Sequence, residues 1–132
     1  VAILPWSPLA RGFLAGSRSR EQRRATARAE SDDFADRLYF RDEDFHVLDA
    51  LLQVSARLEL KPAQVALAWI LSVPGVTAPI LGTTRETYLD DAVAALDIRL
   101  PDDEIARLEA PYLPHPVLGH EQPTPRSFRP SR

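Results

Sequence analysis

The apolar positions of this chain fall into short blocks, and their spacing changes from block to block. Residues 1–6 open with a continuous apolar run, Val1-Ala2-Ile3-Leu4, closed by Pro5 and Trp6. A run of that length bounded by turn residues predicts a short buried strand. Ser7 to Ser17 follows as a loop punctuated by Pro8, Gly12 and Gly16. From Asp42 to Leu58 the apolar residues Phe45, Leu48, Leu51, Leu52 and Leu58 recur at three- and four-residue spacing, which predicts an amphipathic helix. Asp42, Glu43 and Asp44 stand at its start, where the helix dipole favours negative charge. Pro62 suits the first turn of a second helix reaching about Ser72. Its stretch Val65-Ala66-Leu67-Ala68-Trp69-Ile70-Leu71 is apolar on nearly all sides and predicts deep packing, Trp69 included. Pro74-Gly75 ends it.

Val76 to Leu81 reads as a second short buried strand, with Pro79 unable to donate to a ladder. Gly82-Thr83-Thr84-Arg85 is a tight turn, and a helix from Glu86 to Leu96 carries Leu89, Val93 and Leu96 on one face. Pro101-Asp102-Asp103-Glu104 starts a further short helix to about Glu109. Six of the twelve prolines lie from Pro111 onward (Pro111, Pro114, Pro116, Pro123, Pro125, Pro130), so residues 111–132 read as an extended tail with a disordered end.

Strands that alternate with helices predict an α/β fold with a parallel sheet, mostly helical here and with two short parallel strands. Two such strands cannot cover both their faces. The chain of 132 residues also lacks methionine and begins directly in an apolar run. The expectation is a piece of a longer protein. With 45% hydrophobic and 27% charged residues the composition is that of an ordinary globular domain. The net charge of −3 argues against a dedicated nucleic-acid binder. Without cysteine there is no disulfide framework and no thiolate metal site. No apolar run is long enough to span a membrane and no signal peptide is visible, which predicts a cytoplasmic protein.

Ligands of parallel α/β folds sit at the C-terminal strand ends, here Trp6-Ser7-Pro8-Leu9 and Gly82-Thr83-Thr84-Arg85. In the second segment a glycine lets a ligand approach the backbone, hydroxyls and helix-start N–H groups suit phosphate oxygens, and Arg85 adds a fixed positive charge. A plain turn with a capped helix fits the same residues. In the first segment Trp6 is placed either to stack on a planar ring or to fill a core. The arginines 18, 20, 23, 24 and 28, followed by Asp32, Asp33 and Asp36, read as a solvated loop; no aromatic residue interleaves with them as in single-strand binders. His46 is expected in solvent, and His115 and His120 in the tail lack the further ligands of a metal site. Asp90, Asp91 and Asp97 read as helix-surface charges, and no nucleophile–base–orienter set is evident.

Four runs then bear a resemblance. Leu4-Pro5-Trp6-Ser7-Pro8-Leu9-Ala10-Arg11-Gly12 resembles strand 7 and its loop in aldo-keto reductases. Lys61-Pro62-Ala63-Gln64-Val65-Ala66-Leu67-Ala68-Trp69 resembles the helix before strand 8. Pro79-Ile80-Leu81-Gly82-Thr83-Thr84-Arg85 resembles strand 8 with its cofactor loop, and Pro111-Tyr112-Leu113-Pro114-His115-Pro116 the C-terminal tail. The resemblance, in family order over residues 1 to about 120, implies a (β/α)8 TIM barrel that uses NADPH to reduce aldehydes or ketones. A full barrel takes roughly 250 residues, so this chain would be its C-terminal portion, with residues 1–110 in the oxidoreductase domain and 111–132 as tail.

The resemblance carries over cofactor binding. Trp6 matches the aromatic position that stacks on the nicotinamide. Ser7, Leu9, Arg11 and Gly12 match the loop along the pyrophosphate, and Gly82, Thr83, Thr84 and Arg85 the segment around the adenosine 2′-phosphate. Tyr88 stands where many members have glutamine or arginine, and Asp91 where many have glutamate. Ala92 replaces the usual asparagine and weakens the adenine contact; Arg85 retains the preference for NADPH over NADH. The family's catalytic aspartate, tyrosine, lysine and histidine come from earlier strands, and Tyr39, Tyr88 and Tyr112 do not match the tyrosine's context. The expectation is therefore a cofactor-binding segment with no catalytic residue, whose complete protein would take NADP(H) and a small carbonyl substrate, and no nucleic acid, membrane or metal. Two other readings are a short interaction protein that oligomerises through open strand edges, and a basic-loop binder of an anionic partner whose binding falls steeply with salt.

Overall fold

The computed structural model describes residues 1–16, 19, 39–83 and 85–114. The arginine-rich stretch at 18–28 with its aspartates, Thr84, His115, His120 and most of the proline-rich tail lie outside the described residues. Among the described residues are four α-helices: α1 (Asp42–Leu58), α2 (Pro62–Ser72), α3 (Glu86–Ala94) and α4 (Asp102–Glu109). Short 3₁₀ turns occupy Ala10–Ala15 and Ala95–Asp97.

Local chemistry explains the helix boundaries. At the start of α1 the Asp44 carboxylate accepts the backbone N–H of Arg41 at 3.0 Å, and at the start of α2 the Gln64 amide oxygen accepts that of Lys61 at 3.1 Å. Each is the backward half of a capping box, because Arg41 and Lys61 carry no acceptor for the forward half. Pro62 opens α2, where a missing N–H costs nothing. Helix α1 ends on Glu59 in the left-handed region (φ 54°, ψ 36°), and Leu60 N–H reaches back to the Ser55 carbonyl at 3.0 Å.

Helices α1 and α2 form the core with the 3₁₀ turn and α4 laid against them. Phe45, Leu48, Val54 and Val65 are fully buried, each side chain contributing about 1.5–3 kcal/mol relative to exposure. The apolar stripe of α1 is rotated slightly from the expected one. Val54 and Ser55 face inward, whereas Leu52 lies at the surface. Ser55 is tolerated there because its hydroxyl donates to the Leu51 carbonyl at 2.7 Å. In α2, Val65 to Ala68 are buried, but Trp69 is only half-buried at the rim, its indole N–H donating to Glu109 at 3.0 Å. An indole whose N–H needs an acceptor is better placed at that rim than in the apolar interior.

The two expected buried strands are reduced to two isolated parallel bridges, Ile3 with Val76 and Trp6 with Ile80. Prolines on both segments account for this. After Thr77 N–H donates to the Ile3 carbonyl at 2.9 Å, the regular ladder needs a donor at Pro5 and then at Pro79, and neither has an N–H. Ile80 N–H takes the Pro5 carbonyl instead, at 2.7 Å, and the register slips by one residue between the bridges. Nor are the segments buried: Ile3, Leu4, Trp6 and Ile80 are all at least half exposed (50, 54, 61 and 57%). The apolar face of α3 and of the 3₁₀ turn after it is open too, with Leu89 and Val93 on α3 and Leu96 in the turn all exposed. Among the described residues nothing covers these surfaces.

Candidate functional site

Both bridges are parallel, so the two segments leave the pairing at the same end. The loop that begins at Ser7 and the turn that begins at Gly82 therefore issue side by side. This brings the two sequence-predicted ligand segments to one edge of the molecule.

The first loop has a tightly specified backbone. Ser7 (φ 52°), Ala10 (47°) and Arg11 (55°) are non-glycine residues in the left-handed region, followed by Gly12 at 91° and Gly16 at 76°. Each non-glycine residue so placed costs of order 1–3 kcal/mol and persists only where its surroundings over-determine it. Here the Ser7 carbonyl accepts Ala10 N–H at 2.9 Å, the Ser7 hydroxyl accepts Arg11 N–H at 3.1 Å, and the Leu9 carbonyl accepts Gly12 and Leu14 N–H at 2.9 and 3.2 Å. The loop is anchored below by Phe13, 2% exposed, which meets the rings of Phe40 and Phe45 edge-on at 5.4 and 5.2 Å. At the loop's far end Gly16 lies against Pro62, whose Cγ would be only 3.0 Å from an added Cβ. Ser7 and Leu9 thus hold the loop's shape. Trp6 stands exposed at its root, and among the described residues nothing lies where a side chain on Gly12 would begin.

The second segment is more exposed. The Thr83 hydroxyl donates to the Arg85 carbonyl at 3.1 Å and accepts Arg85 N–H at 3.2 Å, which uses its single proton within the turn. Arg85 caps α3 in extended conformation. Its guanidinium lies over the Tyr88 ring, 5.5 Å from the centroid, and Nη1 donates to the Tyr88 hydroxyl at 3.3 Å. Among the described residues Arg85 makes no ion pair with a carboxylate. Gly82 meets nothing at the position of an added Cβ among the described residues, so no contact with them demands glycine there.

Asp91 is placed differently. Both its oxygens accept from Lys61 Nζ, at 2.6 and 2.9 Å, tying α3 to the start of α2. The sequence presents Lys61 only as the first residue of the α2 run, with no role at the site, and a pair 30 positions apart leaves no periodic signal. The same is true of Glu104, read only as part of an acidic first turn. It is buried and receives a two-point hydrogen bond from Arg57, 2.9 Å from Nε and 2.6 Å from Nη2. That bond, aided by the charges of Arg57 and Arg107, holds the Glu104 carboxyl below the usual carboxylate range although burial opposes it. His46 is exposed, and among the described residues no cluster of histidine or carboxylate groups is arranged to hold a metal. No helix among the described residues is long and apolar enough to cross a membrane.

Comparison with known proteins bears on the same residues. The sequence model of the aldo/keto reductase family matches residues 1–112. The chain is 34% identical over 119 residues to a putative aryl-alcohol dehydrogenase of Schizosaccharomyces pombe, covering 90% of this chain and 33% of that protein. It is 34% identical over 125 residues to the versiconal hemiacetal acetate reductase of Aspergillus parasiticus, covering 92% and 35%. An uncharacterized oxidoreductase of Mycobacterium tuberculosis is 40% identical over 98 residues, covering 74% and 29%. The chain thus spans about a third of the length of the relatives it matches. The paired loops at one edge and the match over most of the chain lead to one conclusion: it belongs to the aldo/keto reductase family.

Proposed function

We propose that this chain is the cofactor-holding, C-terminal third of an NADPH-dependent aldo-keto reductase barrel that acts on a small aldehyde or ketone. The observation that carries the reading is the parallel pairing of residues 3–6 with 76–80, which sends the Ser7 and Gly82 loops out at one edge. In a (β/α)8 barrel that edge is where ligands bind. The exposed apolar faces of both bridge segments and of α3 suit burial against further barrel elements.

The donors at this edge fit a phosphorylated dinucleotide. Arg85 is a fixed cation without a carboxylate partner among the described residues, beside a tyrosine hydroxyl. Ser7, Leu9, Arg11 and Gly12 would lie along the pyrophosphate, and Trp6 would flank the nicotinamide. Gly82, Thr83, Thr84 and Arg85, with Tyr88 nearby, would surround the adenosine end. Asp91 would act through the Lys61 pair, keeping α3 in place. When bound, the nicotinamide supplies a hydride for the substrate carbonyl carbon. This chain's residues orient the cofactor, and the proton donor comes from elsewhere in the protein. Among the named relatives, a hemiacetal acetate reductase and a putative aryl-alcohol dehydrogenase accord with such chemistry.

The test is cofactor choice in the native protein. Arg85→Ala is expected to weaken NADPH at least about ten-fold, the size of one charge-assisted hydrogen bond, and to leave NADH affinity unchanged. Equal weakening of both, or of neither, would contradict the assignment.

A further inference from the structure

At the end of the pairing opposite the Ser7 and Gly82 loops, the chain carries a second recess. Helix α2 ends at Ser72, just before the bridge residue Val76, and the 3₁₀ turn after α3 returns to the same end. Between them lies an open groove with a volume of about 400 Å³. Small-molecule sites span about 300–1,000 Å³. Leu71, Leu96, Ile98 and Leu100 supply apolar walls, and the polar side chains of the lining are Ser72 and Arg99. The Ser72 hydroxyl donates its single proton to the Trp69 carbonyl at 2.7 Å, so it has none for a ligand in this conformation. Arg99 Nη1 donates to the carbonyls of Leu96 and Ile98 at 3.0 and 3.2 Å. Those bonds already restrict a side chain that would otherwise lose rotamer freedom on gripping an anion. Among the described residues its Nε and Nη2 make no hydrogen bond, and no carboxylate lies within ion-pair distance. This edge of a guanidinium is the one by which Arg57 holds both oxygens of Glu104, at 2.9 and 2.6 Å. Its two parallel donors match a carboxylate.

We propose that this groove binds a small monocarboxylate with an apolar body, of the medium-chain fatty acid class. The carboxylate sits on the Nε–Nη2 edge of Arg99, and the body lies along Leu71, Leu96, Ile98 and Leu100. A neutral aldehyde or ketone gives Arg99 no charge to hold, so the ligand class differs from that of the carbonyl substrate. The inference does not rest on the cofactor reading, because no residue of the groove belongs to the Ser7 or Gly82 loop.

The experiment titrates octanoate and 1-octanol into the native protein by calorimetry, with and without NADPH, and repeats this for Arg99→Gln and Leu96→Gln. Octanoate should bind at one site, about ten-fold tighter than 1-octanol, the size of one charge-assisted contact. Arg99→Gln should lower octanoate affinity to that of 1-octanol and leave 1-octanol unchanged. Leu96→Gln should weaken both. Arg99 and Leu96 are exposed, and unchanged thermal melts of the two variants check that the fold is kept. Equal affinities for the two probes, or octanoate binding that Arg99→Gln leaves intact, would overturn the proposal. Loss of octanoate binding when NADPH is added would place the acid at the cofactor edge and overturn it too. So would the absence of octanoate binding, the outcome if another polypeptide segment fills the groove. The Arg85→Ala test of cofactor choice is unaffected by any of these results, so the two readings stand or fall separately.

Discussion

Phe13 connects the core to the strained Ser7 loop, and its removal should be felt in both. The side chain is 2% exposed and meets two rings edge-to-face. Each such contact contributes about 0.5–1.5 kcal/mol beyond area burial, so Phe13→Leu should cost about 1–3 kcal/mol. Phe13→Ala removes the ring altogether and should cost about 3–5 kcal/mol, the range for truncating a buried aromatic. Urea unfolding of the purified protein reads both values as shifts in midpoint. The second consequence is local. Ser7, Ala10 and Arg11 hold unfavourable backbone angles only while the turn around Phe13 is docked. In Phe13→Ala the loop should open without global unfolding, and trypsin should cut after Arg11 faster than in the parent. His46→Ala, at an exposed position of α1, is the control and should shift stability by less than about 0.5 kcal/mol. A cost below about 1 kcal/mol for Phe13→Ala, with unchanged cleavage after Arg11, would refute the claim that this aromatic cluster holds the loop.

Two further outcomes follow from named contacts. The Arg57 hydrogen bond depresses the Glu104 carboxyl, so its stabilisation is present above the ordinary glutamate pKa of about 4.3 and is lost as pH falls through the depressed value. Thermal melts should therefore show a smaller drop in Tm between neutral and acid pH for Glu104→Gln than for the parent, and equal drops would contradict this. Glu59 ends α1 in the left-handed region with an exposed side chain, so Glu59→Gly should stabilise by up to about 1 kcal/mol in urea unfolding; a loss of stability would show that the side chain contributes more than its backbone strain costs.

The helices were legible because local chemistry sets them. The acidic starts at Asp42 and Asp102, Pro62 at the head of α2 and Pro74-Gly75 at its end all fall where the elements begin and stop. The strands were less legible. An apolar run such as Val1–Leu4 signals burial, but burial needs a neighbour, and none covers it among the described residues. The bridge register depends on where Pro5 and Pro79 come opposite each other, which periodicity along one segment does not reveal. The loop after Trp6 was recognised, but its 3₁₀ turn was not, since Gly12 read as a break and the left-handed angles at Ala10 and Arg11 have no residue signature. Lys61–Asp91 and Arg57–Glu104 join residues far apart in sequence, so the charges were visible and their pairing was not.

The central claim is that these residues hold the cofactor within a reductase about three times longer. The most direct test is the intact mass of the native protein from its source cells, with sequencing of any additional polypeptide. The account predicts a mass well above the 14.7 kDa of this chain, with preceding sequence that supplies the aspartate, tyrosine, lysine and histidine of the reaction. A native mass of 14.7 kDa would contradict it.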